Sequence, residues 1–334
     1  MSTTKIAING FGRIGRLATR IILAKFPELE IVAVNDLTSA ENLAYLLEFD
    51  STYRKLPYTV TTKDGSLFVH KPESEIKIEV LSEKDPSKLP WKALGIDVVL
   101  ECTGRFLTSE LASLHLQAGA KKVVLSAPAK DENIPTLVLG VNEVNKNQNI
   151  VSNASCTTNC ISPALKVLQD NFIIKQAMGL TVHAYTATQY VQDAPSQKEF
   201  RDGRAAAQNM IPSKTGAAKA VVRVLPELAG KLGLSAIRVP IVTGSMVYVT
   251  ASLQKPINKD EVNNTMKLAS ETYLKGILEY SQKELVSTDI IQNSHSCIVD
   301  GGLTEVMGDT VKLALWYDNE WGYANRLVET VELV

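Results

Sequence analysis

Lys5-Ile6-Ala7-Ile8-Asn9-Gly10-Phe11-Gly12-Arg13-Ile14-Gly15-Arg16, with Asp36 standing 21 residues beyond Gly15, decides the reading of the first half of the chain. Lys5 to Asn9 is a short apolar strand, Gly10 to Gly15 has the spacing GxGxxG, and Ile14, Leu17, Ala18 and Ile21 then repeat at helical spacing. Ile31 to Asn35 reads as a second strand that ends in the acid. The order of strand, glycine loop, helix, strand and carboxylate is the context in which such a loop binds a dinucleotide. Gly10 makes the tight turn, Gly12 lets backbone approach a pyrophosphate, and Gly15 lets the helix pack close to the strand. The pyrophosphate would sit at the free amides and positive dipole end of the helix. Asp36 can accept hydrogen bonds from a ribose hydroxyl. A 2'-phosphate there would meet like charge, about 4 kcal/mol at roughly 4 Å in an effective dielectric of about 20, so NAD is favoured over NADP.

Working outward, Thr38-Ser39-Ala40-Glu41 has capping-box form before Leu43, Leu46 and Leu47. A β-rich excursion runs through Tyr58 to Thr62, Ser66 to His70 and the alternating Ile76, Ile78 and Val80. Parallel strands resume at Ile96 to Leu100, Lys122 to Ser126 and Thr136 to Gly140, with a helix from about Thr108 to Gln117. Their continuous apolar runs fit strands covered on both faces. Through about residue 155 the pattern is that of an α/β, Rossmann-type doubly wound domain. Beyond it Leu180, Val182 and Ala184 alternate with Thr181, His183 and Tyr185, which sets His183 on the face opposite the apolar set, open to a site. Residues 187–215 lack a long periodic element except the short run Arg204 to Asn209. A helix at Ala217 to Leu225, strands at Ile237 to Thr243, Met246 to Leu253, Ser296 to Val299 and Val311 to Tyr317, and an amphipathic helix through Val262, Met266, Ala269 and Tyr273 point to an α+β domain with a mostly antiparallel sheet. A last helix fits Asn319 to Val334.

The 334 residues suffice for two domains, and 45% hydrophobic with 21% charged residues is an ordinary globular composition. Lys and Arg total 35 against 36 Asp and Glu, so no net positive field argues for nucleic acid or an anionic membrane. There is no signal-peptide apolar core and no apolar run near the roughly 20 residues of a membrane span, which leads to a cytoplasmic protein. Four cysteines and four histidines show neither disulfide-framework nor metal-ligand spacing, so reduced thiols and no metal are expected.

Ser152-Asn153-Ala154-Ser155-Cys156-Thr157-Thr158-Asn159-Cys160 precedes Ile161, Leu165, Val167 and Leu168 and reads as a helix start with Ser and Asn available as caps. A thiol at that position feels the positive end of the dipole, which favours a nucleophilic thiolate. Two small buried hydrophobes one turn apart is the plain alternative. Spacing alone does not pair a cysteine with a histidine. What the residues themselves support is a dinucleotide-binding oxidoreductase acting through a cysteine adduct, with a loop carrying Arg201, Arg204, Lys214, Thr215 and Gly216.

Asn9 to Arg16, Ala154 to Cys160, His183-Ala184-Tyr185-Thr186-Ala187-Thr188-Gln189, Thr215-Gly216-Ala217-Ala218-Lys219-Ala220-Val221 and Trp316-Tyr317-Asp318-Asn319-Glu320-Trp321-Gly322-Tyr323 together resemble the phosphorylating glyceraldehyde-3-phosphate dehydrogenase family, in order and over essentially the whole chain. The resemblance implies that Cys156 attacks the aldehyde of glyceraldehyde 3-phosphate, that His183 takes the proton, and that a thioester is cleaved by inorganic phosphate to 1,3-bisphosphoglycerate, as in glycolysis and gluconeogenesis. It places the sugar phosphate on Thr186, Thr188 and Arg238 and inorganic phosphate on Ser155, Thr215 and Gly216, and counts Thr157 among the substrate-binding residues. Cofactor contacts carry over to Gly10, Gly12, Arg13, Ile14, Gly15, Asp36, Thr103 and Gly104, to Asn319 at the carboxamide and to Tyr323 near the nicotinamide; Pro195 matches the NAD-using form. It implies a homotetramer, an NAD-binding domain of residues 1–155 and 319–334, and a catalytic domain of residues 156–318.

Asp50 to Arg54 lacks a His-Gly common in the family, Glu143 to Ile150 is short, and Tyr248 stands where an acid is frequent. A sister activity, erythrose-4-phosphate dehydrogenase, could share Cys156, His183 and the phosphate site. A semialdehyde dehydrogenase shares the architecture but not the Thr186–Thr188 and Thr215-Gly216 motifs, and an NAD-responsive scaffold would not need Cys156, His183 and Arg238 together. The reading expects iodoacetamide to label Cys156 far faster than Cys102, Cys160 or Cys297 in the native protein; equal labelling of all four, followed by peptide mass spectrometry, would count against an activated nucleophile.

Overall fold

The computed structural model describes residues 3–196 and 199–333. Met1, Ser2 and Val334, the ends that the sequence reading gives to the nucleotide-binding domain, lie outside the described residues, as do Gln197 and Lys198 of the long loop. By contact the chain divides into one unit of residues 3–137, 144–154 and 324–333 and another of residues 138–143 and 155–323.

In the first unit β1 (Thr4–Asn9), β2 (Leu29–Asn35), β3 (Thr59–Lys63), β4 (Ser66–Lys71), β5 (Ser74–Leu81), β6 (Val98–Glu101), β7 (Lys122–Leu125) and β8 (Ile150–Ser152) make one sheet in the order β3-β4-β5-β2-β1-β6-β7-β8. From β5 to β8 neighbours are parallel; β3 and β4 extend the edge antiparallel. The helices are α1 (Arg13–Lys25), α2 (Ala40–Glu48), the single turn α3 (Trp91–Leu94) and α4 (Ser109–Gln117). Ile6, Ala7, Ile8, Val99 and Leu100 are fully buried, which explains why the central strands read as unbroken apolar runs. Strand order reverses at β1, with β2 on one side and β6 on the other, and it is outside the carboxyl ends of such strands that doubly wound sheets bind ligands.

Those carboxyl ends are tied together by a buried polar network. Glu101, with no exposed surface, accepts from Asn9 Nδ2 at 2.6 Å, His115 Nε2 at 3.0 Å, the Thr103 amide at 2.7 Å and the Thr103 hydroxyl. Trp91 Nε1 donates to His115 Nδ1 at 3.0 Å. Because indole only donates, Nδ1 is the acceptor and the ring proton sits on Nε2, facing Glu101. Asn9 Oδ1 in turn accepts from Asn35 Nδ2 at 2.7 Å. The ends of β1, β2 and β6 are thereby fixed to one another by side-chain hydrogen bonds.

In the second unit β9 (Ile174–Ala184), β10 (Ile211–Ser213), β11 (Leu232–Val239), β12 (Ser245–Leu253), β13 (Leu278–Ser281), β14 (Cys297–Asp300) and β16 (Thr310–Tyr317) run in the order β10-β11-β9-β12-β16-β14-β13, with β15 (Glu305–Met307) against β16. Only β11 with β9 and β13 with β14 are parallel, so the sheet is mostly antiparallel, as expected. The helix α5 (Cys156–Phe172) lies across β9, β12, β14 and β16, burying Ile161, Ala164, Leu165, Val167 and Leu168 completely. α6 (Ala217–Val224) and α7 (Lys259–Glu271) complete this unit, and α8 (Trp321–Thr330) begins in it and ends in the first.

Four local expectations differ. Thr136 to Gly140 makes only a bridge at Thr136 to Ser152, because Val138 turns to bond Asn142 Oδ1 and Gly140 adopts φ +78°. Ser39, not Thr38, caps α2, since the Thr38 amide is taken by Asp36. The strand expected at Ile237 to Thr243 ends at Val239, where Pro240 lacks the amide a ladder needs. Arg204 to Asn209 forms turns, the short helical piece lying before it at Phe200–Gly203.

Trp91→Phe leaves His115 Nδ1 buried without its donor and should lower the free energy of unfolding by about 1–3 kcal/mol. Urea denaturation measures it; an unchanged midpoint would mean that the network contributes nothing net.

Candidate active site

Strand register builds the site. His183 on β9 is paired with Arg238 on β11, and on the other side Val182 is paired with Met246 of β12. Ser245, next to Met246, is paired with Tyr317 at the end of β16. Arg238, His183, Ser245 and Tyr317 therefore form a row across four neighbouring strands. Covering that row, α5 starts at Cys156 with Ser155 as its cap, the Ser155 hydroxyl accepting from the Thr158 amide at 3.1 Å. The expected helix start is present, and the nucleophile candidate is its first residue.

Cys156 Sγ lies 3.4 Å from His183 Nε2. His183 Nδ1 is 2.7 Å from the Ala184 carbonyl oxygen and 2.6 Å from Arg238 Nη1, which also reaches that carbonyl at 3.2 Å. Tyr317 meets the imidazole edge-on, its centroid 5.8 Å away. The expectation of an open face for His183 is corrected: it is 4% exposed, because the Thr181–His183 face of β9 is the one turned to α5, while Met178 on the other face is 75% exposed. The polar residues are buried because they bond one another.

Burial, and then the charge of Arg238, push the His183 imidazole down to about 3, so it is neutral at working pH. Burial pushes the half-buried Cys156 thiol up; Arg238 and Thr157 pull it back. Desolvation of the sulfur thus works against the dipole that the start of α5 supplies. Burial also drives Cys102 up to about 12 and Cys160 well above its ordinary range, and Cys297 is fully buried.

Around this pair, the Thr157 hydroxyl lies 3.0 Å and the Thr181 hydroxyl 2.9 Å from the Tyr317 hydroxyl. Three protons serve the two bonds between these oxygens, leaving one proton to donate elsewhere. The Thr186 and Thr188 hydroxyls are 2.9 Å apart, and Gln189 Oε1 accepts from the Thr186 amide and hydroxyl. Asn319 Oδ1 accepts from Ser245 Oγ at 2.7 Å, and Ser245 Oγ accepts from the Ala184 amide at 3.0 Å, so the Asn319 amide group is oriented with its NH2 free of that contact. Thr215 and Gly216 open α6, where Thr215 Oγ1 accepts from the Ala217 amide and Gly216 brings no side-chain cap. Tyr323 is buried in α8. Tyr317, Ser245, Thr181 and Gln189 were not assigned roles from sequence. Tyr317 continues the alternating apolar face of Leu313 and Leu315, which hides its hydroxyl, and a lone serine carries no pattern at all.

In the first unit the glycine loop behaves as its spacing requires. Gly10 has φ +92°, and a Cβ there would fall 2.8 Å from the Thr103 nitrogen; one on Gly15 would fall 2.3 Å from the Gly10 oxygen. A Cβ on Gly12 would meet nothing within 4 Å, so this backbone faces open space. The loop borders a cavity of about 580 Å³ whose lining includes Asn9, Gly10, Gly12, Asp36, Leu37, Thr103 and Phe106. Asp36 is steered by the Phe11 amide at 2.8 Å and the Thr38 amide at 3.1 Å, which leaves carboxylate lone pairs for hydroxyl donors. Gly12 caps α1 without any side-chain bond, leaving the first amides, including Ile14, for an anion. These features fit a dinucleotide. Two side chains are committed elsewhere: Arg13 pairs with Asp50 from the atypical Asp50–Arg54 turn, and the Thr103 hydroxyl donates to Glu101. Gly104 makes its turn at φ +69°. Among the described residues no group of three or more His, Cys, Asp or Glu is arranged to hold a metal ion, and no helix is long and apolar enough to cross a membrane.

Residues 4–109 match the family described as glyceraldehyde 3-phosphate dehydrogenase, NAD binding domain, and residues 155–319 match glyceraldehyde 3-phosphate dehydrogenase, C-terminal domain. The chain is 50% identical over 338 residues to a glyceraldehyde-3-phosphate dehydrogenase of Mycobacterium avium, covering 99% of this chain and 98% of that protein. Proteins of the same name from Mycolicibacterium smegmatis and Chlamydia pneumoniae are each 50% identical, over 340 and 334 residues, with the same coverage.

Between the His183 value of about 3 and the ordinary 6.5, the unfolded chain binds a proton that the folded chain refuses. The stability this contributes is complete above pH 6.5 and is lost as pH falls toward 3. Urea midpoints compared at neutral pH and near pH 4.5 should therefore fall less in His183→Gln than in the parent protein; an equal fall in both would remove His183 from the acid limb.

Proposed function

The chain belongs to the glyceraldehyde 3-phosphate dehydrogenase family, and on that premise we propose that Cys156 is its nucleophile, His183 its base and Arg238 a holder of the substrate's phosphate. It is an NAD-dependent dehydrogenase of glyceraldehyde 3-phosphate. The observation that carries the residue roles is the 3.4 Å approach of Cys156 Sγ to His183 Nε2 at the start of α5.

The thiol adds to the aldehyde carbon as its proton passes to Nε2, giving a thiohemiacetal on Cys156. The Cys156 amide, among the first free amides of α5, supports the oxygen that gains charge. NAD, held by the glycine loop and by Asp36, supplies the hydride acceptor. Loss of hydride from the thiohemiacetal carbon leaves a thioester, and inorganic phosphate displaces Sγ to give 1,3-bisphosphoglycerate. Even full ionisation of an ordinary thiol would raise its reactive fraction only about 30-fold at neutral pH, roughly 2 kcal/mol, so orientation and oxyanion support must supply most of the acceleration.

For the sugar phosphate, Arg238 offers paired donors and Thr186 and Thr188 offer adjacent hydroxyls. Ser155, Thr157, Thr215 and Gly216 serve inorganic phosphate, Thr157 from the end of the hydroxyl chain through Tyr317. Gly10, Gly12, Gly15, Ile14, Asp36 and Gly104 serve NAD through backbone and carboxylate. Thr103 positions the loop through Glu101, and the pairing of Arg13 with Asp50 leaves its amide as the contact to pyrophosphate. Asn319, oriented by Ser245, presents its NH2 to the carboxamide. Tyr323 packs near the nicotinamide.

The protein works as a homotetramer in the cytoplasm. The long loop supports assembly: Phe200 is 92%, Val191 83% and Met210 76% exposed, apolar surface that a neighbouring subunit would cover. The division read from sequence, residues 1–155 and 319–334 for NAD and 156–318 for catalysis, differs from the division by contact, which gives residues 138–143, 155 and 319–323 to the second unit. Erythrose 4-phosphate is not favoured as the substrate, since the relatives are named for the triose.

NADH formation from glyceraldehyde 3-phosphate, followed by absorbance, should depend strictly on inorganic phosphate, show a first-turnover burst, and lose that burst in Cys156→Ser. Faster turnover of erythrose 4-phosphate, or a burst that survives the substitution, would overturn the assignment.

A further inference from the structure

Two positions before Cys156 the backbone takes a left-handed turn at a residue that carries a Cβ. Ala154 has φ +55° and is fully buried. Among the described residues only Arg54, Asp64, Ala154, Ile173 and Gln292 combine a side chain with positive φ. Asp64 stands before Gly65 in the tight turn joining β3 to β4, where that conformation is ordinary. Ala154 and Ile173 stand elsewhere: one directly precedes Ser155, the cap of α5, and the other closes the far end of the same helix at φ +56°. Alanine and isoleucine have no polar side-chain atom to offset the close approach of Cβ to the backbone in that region. The helix that carries Cys156 is thus bounded by strained backbone at both ends.

Ala154 is held by its neighbours. Its amide donates to Ser152 Oγ at 3.1 Å, and Ser152 Oγ donates in turn to the Ala127 carbonyl oxygen at 2.8 Å. The Asn153 amide donates to the Leu125 carbonyl oxygen at 3.0 Å, and Asn153 Oδ1 accepts from the Thr330 hydroxyl at 3.1 Å. Ser152, Asn153 and Ala154 have no exposed surface. One residue on, the backbone returns to the extended region at Ser155, φ −110° and ψ 164°, and enters α5 at Cys156, whose Sγ lies 3.4 Å from His183 Nε2. Glycine would make the left-handed turn without strain, but across a broad range of φ and ψ. A residue with a Cβ is confined there to a small region, so the same turn built on alanine is a stiffer joint. Strain kept beside a reacting group, where glycine would remove it, is a mark of positioning.

We propose that Ala154 is a positioning residue for the thiol: its narrow left-handed well fixes the direction in which α5 starts, and so holds Cys156 Sγ in place for reaction with the aldehyde. This rests on the assignment of Cys156 as the nucleophile. A misplacement of about 1 Å costs about a hundredfold in rate, so a joint that only loosens should cost roughly tenfold. Ile173 supplies the contrast. It is 48% exposed and lies at the end of α5 remote from Cys156, so relief of strain there should touch stability alone.

Ala154→Gly and Ile173→Gly, each made in the full chain, test this. The measurements are the first-turnover burst of NADH from glyceraldehyde 3-phosphate and NAD, the Kd for NAD, and the midpoint of urea unfolding. In Ala154→Gly the expected result is a burst roughly tenfold slower, with the Kd for NAD within about twofold of the parent value. Its urea midpoint should be no lower, because relief of strain offsets the loss of one buried methyl. Ile173→Gly should raise the midpoint and leave the burst rate within about twofold. A merely structural Ala154 would move stability and leave the burst rate alone. A burst rate in Ala154→Gly within about twofold of the parent overturns the proposal. So does a slowing that Ile173→Gly shares, or one that comes with a lowered midpoint or a raised Kd for NAD, since each of these marks general loosening. Failure of the assignment of Cys156 appears separately, as no burst in the parent protein or a burst that survives Cys156→Ser.

Discussion

The pairing of β9 with β11 and β12 is the constraint on which the site depends. A parallel neighbour brings Arg238 beside His183, and an antiparallel one brings Ser245 and, one strand further, Tyr317. Because side chains on one face of a sheet repeat every second residue, a slip of one residue in any of these strands would send its member of the row to the opposite face. α5 closes over the row and contributes Cys156 at its first position, so Cys156, His183 and Arg238 are brought together from three elements whose relative places are set by packing.

What that arrangement does electrostatically is less obvious than what it does sterically. A helix start and a nearby guanidinium both favour a thiolate, yet burial is the larger effect on Cys156 and pushes the thiol up. The same guanidinium, in contact with His183, opposes protonation of the imidazole. The row therefore places a thiol, an imidazole and a guanidinium in contact, with burial opposing the guanidinium at the thiol and reinforcing it at the imidazole. The first unit solves a different problem by similar means. There a fully buried carboxylate, Glu101, is satisfied by four neutral donors and holds the strand ends and the Thr103 turn in place beside the cavity.

Legibility in the sequence followed the range of the interactions. The glycine loop was readable because each glycine answers a local demand: positive φ at Gly10, open backbone at Gly12, close packing at Gly15. The α5 start was readable from its cap and apolar spacing. His183 was found as a strand residue but given the wrong exposure, since alternation shows that two faces differ and not which one is covered. Tyr317 and Ser245 were missed because their partners lie on strands far away in the chain. The turn at Val138 to Asn142 was misread for a related reason, an apolar run being equally at home in a strand or in a buried turn.

By itself the sequence determined the two kinds of folding unit, a dinucleotide-binding segment, and, through the ordered motifs, the family. These rest on spacing within a single strand–turn–helix segment or on residue types that survive without coordinates. Only the tertiary structure decided that His183 is buried, that its Nδ1 is contested by Arg238 and Ala184, that Cys156 is not simply a dipole-stabilised thiolate, and that Arg13 is spoken for by Asp50. Each of these is a balance between desolvation and a contact made across strands or loops. Such balances depend on distances of a few tenths of an ångström between residues that the chain holds tens of positions apart.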